Sequence, residues 1–438
     1  MKKKALATIL GAAMTVSMLA GCGSAAQTSE ATSAAEAATS EAATSEAAEE
    51  TADLDYSSVD GVKVWVADNV VDFTNEQIEA FKTANPEFAD IEFTVEPVGE
   101  GDAASNMITD VEAGADVYTF AQDQIARLVA AGALEEVAPE NVDAVKADND
   151  EGAVGAATVG DTLYAYPVTS DNGYFLYYDK SVVTDPSDLD TILADCEKAG
   201  KNFYMEINSG WYQTSFFFGT GCELTYETDD QGNFTGSNVS YNSDAGVVAL
   251  KEMIKLKESK AFQNGSSAGD ATNVAAIVDG TWDAGTVKDL FGDNYACAKL
   301  PSFEGADGNT YQLSGFSGYK LVGVKPQEDE AKLAVCDALA AFLTSEDVQL
   351  ARYEAVGWGP SNLNAQTSDA VKADEALTAL NEQMLNDIPQ GQYPGDYWSL
   401  ATGLGDDVLQ GNLSSSTSDA DLTAALATFQ ETCESYAK

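Results

Sequence analysis

Short β-type runs alternate with helical patterns along most of this chain, and that alternation limits the fold more than any other feature. Residues 62–66 form an apolar run typical of a buried strand. A helical pattern follows over 75–85, and a second strand is predicted over 91–95. The next pair is a helix over 106–113 and a buried strand over 116–120. Strand, helix, strand in this order predicts α/β layers built on a mainly parallel sheet.

The first of these helices has a sequence that predicts both its packed face and its start. Ile78, Phe81 and Lys82 follow the three-and-four spacing of one helix face. Thr74 or Asn75 is placed to cap the first turn, because a short polar side chain accepts a bond from a free amide there. A proline follows the pattern and ends it.

Size and charge limit the architecture and the partners. The part of the chain from about residue 59 onward has roughly 380 residues, more than one hydrophobic core usually holds, so two lobes are expected. The sequence has 22 Lys plus Arg against 72 Asp plus Glu. Because a polybasic surface is lacking, we expect no nucleic-acid partner and no binding to anionic lipid through a basic patch.

Histidine and cysteine usage removes several kinds of chemistry. The chain has no histidine, which excludes Ser-His-Asp and Cys-His catalytic sites and zinc sites built on histidine. Five cysteines follow Cys22 with wide, irregular spacing and no CxxC pair, so at most two disulfides can form and most thiols are expected to be small buried groups. No phosphate loop or dinucleotide fingerprint is present, and neither a cofactor nor a metal is expected. The five are Cys196, Cys222, Cys297, Cys336 and Cys433.

The first residues have the pattern of a secretory leader. Three lysines precede an apolar run over 5–20 that closes on Leu19-Ala20-Gly21-Cys22. These four residues resemble the bacterial lipobox, which implies a signal peptide over 1–21 and a lipid on Cys22. An uncleaved N-terminal helix with an incidental cysteine is the alternative. Residues 22–58 are almost wholly Ala, Ser, Thr, Glu and Gly, which predicts a disordered, solvated tether.

Many weak motifs in a fixed order identify a family resemblance in the rest of the chain. They are a Gly-Ala-Asp-Val-Tyr strand, a crossing over 163–180, a hairpin and helix over 223–258, Asp279-Gly280-Thr281-Trp282, and Gly357-Trp358-Gly359-Pro360. Together they resemble the sugar-binding proteins of bacterial ABC importers, of the maltose and maltodextrin type. No single motif is specific, but the resemblance covers nearly all of residues 60–438.

This resemblance implies the type II periplasmic-binding-protein fold, in which a hinge joins two α/β lobes and the ligand cleft lies between them. Chain crossings are expected near 166–173, 311–318 and 355–363. They divide the chain into an N-lobe of residues 59–168 plus 318–358 and a C-lobe of residues 169–317 plus 359–438.

A sugar-binding cleft has two chemical requirements that suggest candidate residues. Aromatic rings suit the flat C–H faces of a pyranose, and carboxylates or amides accept from its hydroxyls. Side chains of these types fall where the family has its cleft. The candidates are Trp65, Asp68, Asn69, Asp171, Trp211, Tyr212, Trp282, Asp283, Tyr397 and Trp398.

Several of these aromatics also fit a core position. Trp65 lies within an apolar strand. Trp211 and Tyr212 precede Phe216, Phe217 and Phe218 in a sequence that also suits the start of a buried helix. Trp398 precedes Leu400, Leu404 and Val408, whose spacing of four suits a packed helix face equally well. At these positions the sequence leaves both readings open.

The resemblance implies a non-enzymatic receptor that captures an extracellular carbohydrate, in expectation an oligosaccharide, and delivers it to ABC permease subunits. We expect a monomer that the Cys22 lipid holds on the outer face of a cell membrane. The expected source of that membrane is a Gram-positive bacterium. A receptor for a peptide, polyamine or other polar solute is the main alternative. An extracellular glycoside hydrolase is a weaker one, since it needs two suitably spaced carboxyls.

Overall fold

The structure is a computed structural model, and it describes residues 54–265 and 267–437. The predicted signal peptide, the Cys22 lipidation site and nearly all of the tether lie outside these residues. No helix within the described ranges is long and apolar enough to span a membrane.

Strands and helices alternate through most of the described chain, as the sequence predicts. The strands are Val62–Val66 (β1), Phe93–Pro97 (β2), Val117–Ala121 (β3), Thr158–Val159 (β4), Thr162–Leu163 (β5), Tyr166–Thr169 (β6), Phe175–Asp179 (β7), Asn202–Tyr204 (β8), Leu224–Thr228 (β9), Phe234–Val239 (β10), Phe262–Gln263 (β11), Val274–Asp279 (β12), Tyr295–Ala298 (β13), Ser302–Glu304 (β14), Thr310–Gln312 (β15), Phe316–Ser317 (β16), Lys320–Val324 (β17) and Ile388–Pro389 (β18). The helices are Val71–Ala84 (α1), Ala103–Thr109 (α2), Ile125–Ala130 (α3), Pro139–Asp148 (α4), Glu151–Ala156 (α5), Leu189–Ala199 (α6), Thr214–Gly219 (α7), Asp244–Glu258 (α8), Ala284–Phe291 (α9), Glu330–Leu343 (α10), Glu346–Val356 (α11), Leu363–Gln366 (α12), Asp369–Lys372 (α13), Glu375–Met384 (α14), Gly395–Leu409 (α15) and Asp419–Ser435 (α16).

The first lobe is built on a five-stranded sheet with the order β2-β1-β3-β17-β6. β1 runs parallel to β2 and β3, while β17 runs antiparallel to β3 and β6. Apolar side chains of β1, β3 and β17 are buried against α1, α3 and α10 in one contiguous core. The strands β1, β2, β3 and β6 therefore all end at one edge of this sheet, and β17 begins there.

The second lobe is built on another five-stranded sheet, with the order β11-β8-β12-β7-β13. β8 runs parallel to β11 and β12, and β7 runs antiparallel to β12 and β13. Side chains along β7 alternate between two cores, because successive residues of a strand point to opposite faces. Leu176 packs with α6, α8 and α16, while Phe175 and Tyr177 pack with α9 and α14. The two-lobed α/β fold class is confirmed.

Three crossing segments connect the lobes, and backbone hydrogen bonds hold them side by side. Ser170 N donates to Gly359 O at 3.1 Å, and Asn172 N donates to Gly318 O at 3.1 Å. β16 pairs with β18, which adds the segment before α15 to the same bundle of chains. The first sheet takes its strands from 62–169 and 320–324, and the second from 175–298. These positions support the division at 59–168, 169–317, 318–358 and 359–438, which we keep as a proposal.

Several element boundaries differ from the sequence-based prediction. α1 starts at Val71 instead of residue 75, so Thr74 and Asn75 lie inside it and cannot cap it. Their side chains donate to Val70 O and Val71 O, four residues back, at 2.8 and 3.0 Å. The second strand begins two residues later than predicted, and α2 covers Ala103–Thr109 instead of 106–113.

All five cysteines of the described residues are free thiols. Four of them are buried, and Cys297 is half-buried. Burial raises the pKa of these thiols, so they behave as small apolar groups that resist ionisation. The expectation that most are packed in the interior is confirmed.

Candidate functional site

A cavity of about 700 Å³ lies between the two lobes. Both sheets contribute the loops at the carboxyl ends of their parallel strands, which is where open α/β sheets present ligand sites. Its wall consists of Ala67, Asp68, Asn69, Glu100, Gly101, Asp102, Ala121, Asp123, Gln124, Asn172, Trp211, Tyr212, Ser267, Trp282, Asp283, Thr286, Lys320, Trp358, Gln390 and Trp398.

The N-lobe wall follows directly from the register of the first sheet. Asp68 and Asn69 come just after β1, Glu100 to Asp102 lie between β2 and α2, and Asp123 follows β3. Lys320 is the first residue of β17 and pairs with Ala121, so the antiparallel strand brings a basic side chain to the same edge. Gln124 fixes the loop before α2, because its Nε2 donates to Glu100 O and Gly101 O at 2.9 Å each.

The C-lobe wall is mainly aromatic. Trp211 follows β8, Trp282 follows β12, and Trp398 lies in the first turn of α15. Gly280 lets the Trp282 ring lie flat against the chain, since a Cβ at that position would overlap the ring atoms. Trp358 comes from the last crossing segment. Four of the five tryptophans in the sequence therefore meet in one cavity.

Hydrogen bonds and ring contacts hold these aromatics in place before any ligand arrives. Trp211 Nε1 donates to Gln390 Oε1 at 3.1 Å. The Trp211 ring contacts the Trp282 ring at a centroid distance of 5.8 Å. Trp398 packs on Tyr397 with centroids 4.8 Å apart. A rigid aromatic wall loses little side-chain entropy when it binds a ligand.

Carboxyl groups dominate the polar part of the wall. The five acidic residues are Asp68, Glu100, Asp102, Asp123 and Asp283, against the single base Lys320. Asp283 Oδ2 accepts from Ala268 N at 2.9 Å, which leaves further lone pairs for a ligand. Ionised carboxylates accept hydroxyl protons in short, strong bonds. The wall can therefore grip a molecule that offers both hydroxyl donors and apolar faces.

Burial raises the pKa of two carboxyls at or just behind the wall. Desolvation raises the pKa of Asp123 to about 7, although the nearby Arg127 guanidinium opposes the shift. Burial and the neighbouring Asp283 raise the pKa of Asp279 well above its usual range. The hydroxyl of Tyr212 donates to Asp279 Oδ1 at 2.9 Å and joins this pair to the cavity wall.

The cavity contains most of the residues that the sequence suggested. Among its lining residues are Asp68, Asn69, Trp211, Tyr212, Trp282, Asp283 and Trp398. Their contact with a ligand stays a prediction. The sequence left open whether Trp398 belongs to a packed helix face or to the cleft, and both are true. It is half-buried on α15 and also lines the cavity.

Three predicted residues do not line the cavity. Trp65 is buried in the N-lobe core, with its Nε1 donating to Glu96 Oε2 at 2.9 Å. Tyr397 is fully buried, and its hydroxyl donates to Gly210 O at 3.1 Å. Asp171 is buried among the crossing segments, where it accepts from protein groups. Trp65 and Tyr397 use their polar atoms within the protein, Asp171 does so through Oδ2, and all three lie outside the cavity wall.

The sequence analysis missed several wall residues, above all Asp123, Lys320, Trp358 and Gln390. Asp123 had a usable signal, because it follows a buried strand as Asp68 does. Trp358 stood in a motif that was recognised only as a crossing. For Lys320 and Gln390 no local signal exists, since their positions depend on strand pairing between distant parts of the chain.

Over residues 54–265 and 267–437, no group of three or more His, Cys, Asp or Glu side chains is arranged to hold a metal ion.

Solved structures with the same two-lobed architecture include several sugar-binding proteins. A structure described as being with acarbose is 28% identical and has a TM-score of 0.75, over 87% of this chain and 100% of its own. The maltodextrin-binding protein MalE1 of L. casei BL23, solved without ligand, is 24% identical, with a TM-score of 0.69 over 86% and 99%. The maltotriose-binding protein of Thermus thermophilus, bound with maltotriose, is 20% identical, with a TM-score of 0.71 over 85% and 99%.

Sequence comparison gives a family but no curated relative. The sequence profile described as bacterial extracellular solute-binding protein matches residues 76–379. No curated protein is similar enough in sequence to count as a match.

The raised pKa of Asp123 predicts a pH-dependent effect of replacing it. The folded protein favours the protonated carboxyl, so the stability that this group contributes is full below about pH 4 and is lost as the pH rises through about 7. We therefore expect Asp123→Asn to change the melting temperature little at pH 4 and to raise it, relative to wild type, at pH 8. Melting curves of both proteins across this range test it. A difference that stays constant or shrinks toward pH 8 would contradict the assignment.

Proposed function

The chain belongs to the bacterial extracellular solute-binding proteins, and from this premise we propose that it captures a carbohydrate and delivers it to the permease of an ABC importer. The observation that carries the proposal is the cavity wall, which combines four tryptophans with five carboxyl groups. Indole rings match the apolar faces of a pyranose, and carboxylates match its hydroxyl rim. The protein acts by binding and carries out no reaction.

We infer further that the ligand is an oligosaccharide of the maltodextrin class. The three similar structures described above are reported with acarbose, as a maltodextrin-binding protein, and with maltotriose. A volume of about 700 Å³ accommodates more than one sugar ring. The three tryptophans of the C-lobe wall, Trp211, Trp282 and Trp398, also suit a ligand with several ring faces.

Closure of the cleft gives binding a mechanism that a permease can recognise. Open and closed arrangements of the lobes interconvert, and the ligand favours the closed one because only there do both walls contact it. Trp282 follows β12 and Trp398 lies in α15, both in the C-lobe, whereas Asp68 and Asp123 follow strands of the N-lobe. A sugar that binds between these residues connects the two lobes. The permease then recognises the two lobe surfaces in their closed arrangement.

The proposed location is the outer face of the cell membrane, with the protein anchored as a monomer by a lipid on Cys22. The leader and the lipobox-like residues support this, together with the extracellular family. We expect a Cys22→Ala variant to leave the membrane fraction, because the diacyl anchor cannot be attached. Fractionation of expressing bacteria measures this, and a variant that stays with the membrane as the wild type does would contradict the anchor.

A thermal-shift panel on the protein from residue 54 onward tests the ligand class. Ligand at a hundred times its dissociation constant adds about 2.7 kcal/mol to the free energy of unfolding. We expect maltose and maltotriose to raise the melting temperature, and peptides and spermidine to leave it unchanged. Polyamines are the specific alternative, because the acidic residues of the wall can pair with their ammonium groups. Stabilisation by spermidine alone would therefore replace the carbohydrate proposal with a polyamine receptor. Hydrolysis of maltotriose by the purified protein would instead favour a glycosidase.

Loss of the Trp398 ring tests the aromatic wall. We expect Trp398→Ala to weaken maltotriose binding by about 10- to 100-fold, since a buried aromatic anchor contributes about 1–3 kcal/mol. Trp65→Phe is the matched control, because Trp65 lies in the N-lobe core away from the cavity. Calorimetric titration of both variants gives the comparison. Equal affinities for the two variants would show that the ring does not touch the sugar.

A further inference from the structure

Lys320 has an unusual position at the floor of the cavity. It is only 5% exposed, yet it belongs to the cavity wall. Its backbone pairs with Ala121 on one side and Thr169 on the other, so the strand fixes where its side chain begins. A buried ammonium is costly unless its charge is compensated. The groups around the Lys320 ammonium therefore indicate which kind of ligand it can bind.

Two indole rings flank the ammonium. Lys320 Nζ lies 3.6 Å from the centroid of the Trp358 ring and 5.0 Å from that of Trp282. The negative face of an indole attracts a cation, and tryptophan does so most strongly among the aromatic residues. These rings hold the ammonium in place, but a π face does not replace the hydrogen bonds that the ammonium makes in water. Its three N–H groups still need acceptor atoms.

The protein supplies no such acceptor within the described ranges. No carboxylate oxygen there lies within 4.0 Å of Lys320 Nζ, and no hydrogen bond from it to a protein oxygen is formed. By contrast, Lys325 and Lys332 of the same lobe both pair with Asp116, at 3.2 and 2.9 Å. The Lys320 donors are therefore free to bond to whatever fills the cavity.

We propose that Lys320 determines specificity by donating to a hydroxyl oxygen of a neutral sugar, and that Trp358 is the positioning residue that holds its ammonium. This inference rests on the proposed carbohydrate function and narrows it. The four acidic residues of the wall other than Asp123 repel anionic ligands, such as sugars that carry a carboxylate. Lys320 repels cationic ligands such as polyamines from the floor. The combination selects an uncharged, hydroxyl-rich molecule.

Replacing the ammonium by an apolar group of similar length tests the role of Lys320. We expect Lys320→Met to bind maltotriose at least tenfold more weakly than wild type in calorimetric titration, and to bind spermidine more tightly. Lys260→Met is the matched control, because it makes the same change of charge at a lysine whose side chain is 85% exposed. An unchanged maltotriose affinity in Lys320→Met would overturn the proposal while leaving the carbohydrate function intact. Failure of the wild type to bind maltotriose would overturn both.

Monodeoxy maltotrioses, which each lack one hydroxyl, identify the hydroxyl to which Lys320 donates its hydrogen bond. One analogue, which lacks the hydroxyl that Lys320 contacts, is expected to bind more weakly than maltotriose to the wild type but not to Lys320→Met. If every analogue loses the same factor in both proteins, Lys320 does not donate to a hydroxyl.

Trp358→Phe gives an independent variant that leaves Lys320 in place. We expect a several-fold loss of maltotriose affinity in the wild-type background and no further loss in the Lys320→Met background, because a positioning residue acts only through the group it positions. Equal losses in the two backgrounds would contradict the role of Trp358.

Discussion

The carboxylate of Asp171 holds together the segments on which the cavity depends. Its Oδ2 accepts from Gly359 N at 2.6 Å and from Thr281 Oγ1 at 2.6 Å. These bonds join the first crossing to the last crossing and to the loop that carries Trp282. Hydrogen bonds to a charged group contribute about 1.5–3 kcal/mol each. Gly359 favours this close approach, since a Cβ there would lie 3.0 Å from Asp171 Cβ and 2.8 Å from Leu377 Cδ2.

From this junction the geometry of the ligand site follows. The last crossing carries Trp358, the loop after β12 carries Trp282, and β17 leaves the neighbouring crossing with Lys320 as its first residue. The two rings and the ammonium meet at the floor of the cleft. The floor is thus built from the same segments that connect the lobes, so the proposed lobe closure would also move the proposed ligand contacts at the floor.

The charged residues of the cleft differ in how far they are buried. Asp68 and Asp102 are exposed, whereas Asp123 and Lys320 are buried. Exposed carboxylates act through solvent and are screened by salt, but buried groups interact strongly with any ligand that displaces water from them. The buried positions therefore set ligand chemistry more than the net charge of the whole chain does.

Local sequence patterns were sufficient for the elements that depend on local forces. Val62–Val66 was predicted to the residue, because a run of β-branched side chains in an apolar segment specifies a buried strand. The start of α1 was missed because the Thr74 hydroxyl bonds back to the helix instead of capping it. Asp68 was found because it lies in the loop after the first predicted strand, and Trp282 because it stands in the Asp279-Gly280-Thr281-Trp282 motif of the family resemblance. Lys320 could not be found, since the pairing of β17 between β3 and β6 joins residues far apart in the chain.

Tryptophan fluorescence during titration with maltotriose tests the central claim most directly, because four of the five tryptophans line the proposed sugar site. The account predicts a saturable change in emission with one ligand per chain, and no such change with spermidine or a peptide. Emission that does not respond to maltotriose but saturates with spermidine or a peptide would contradict a carbohydrate-binding cleft.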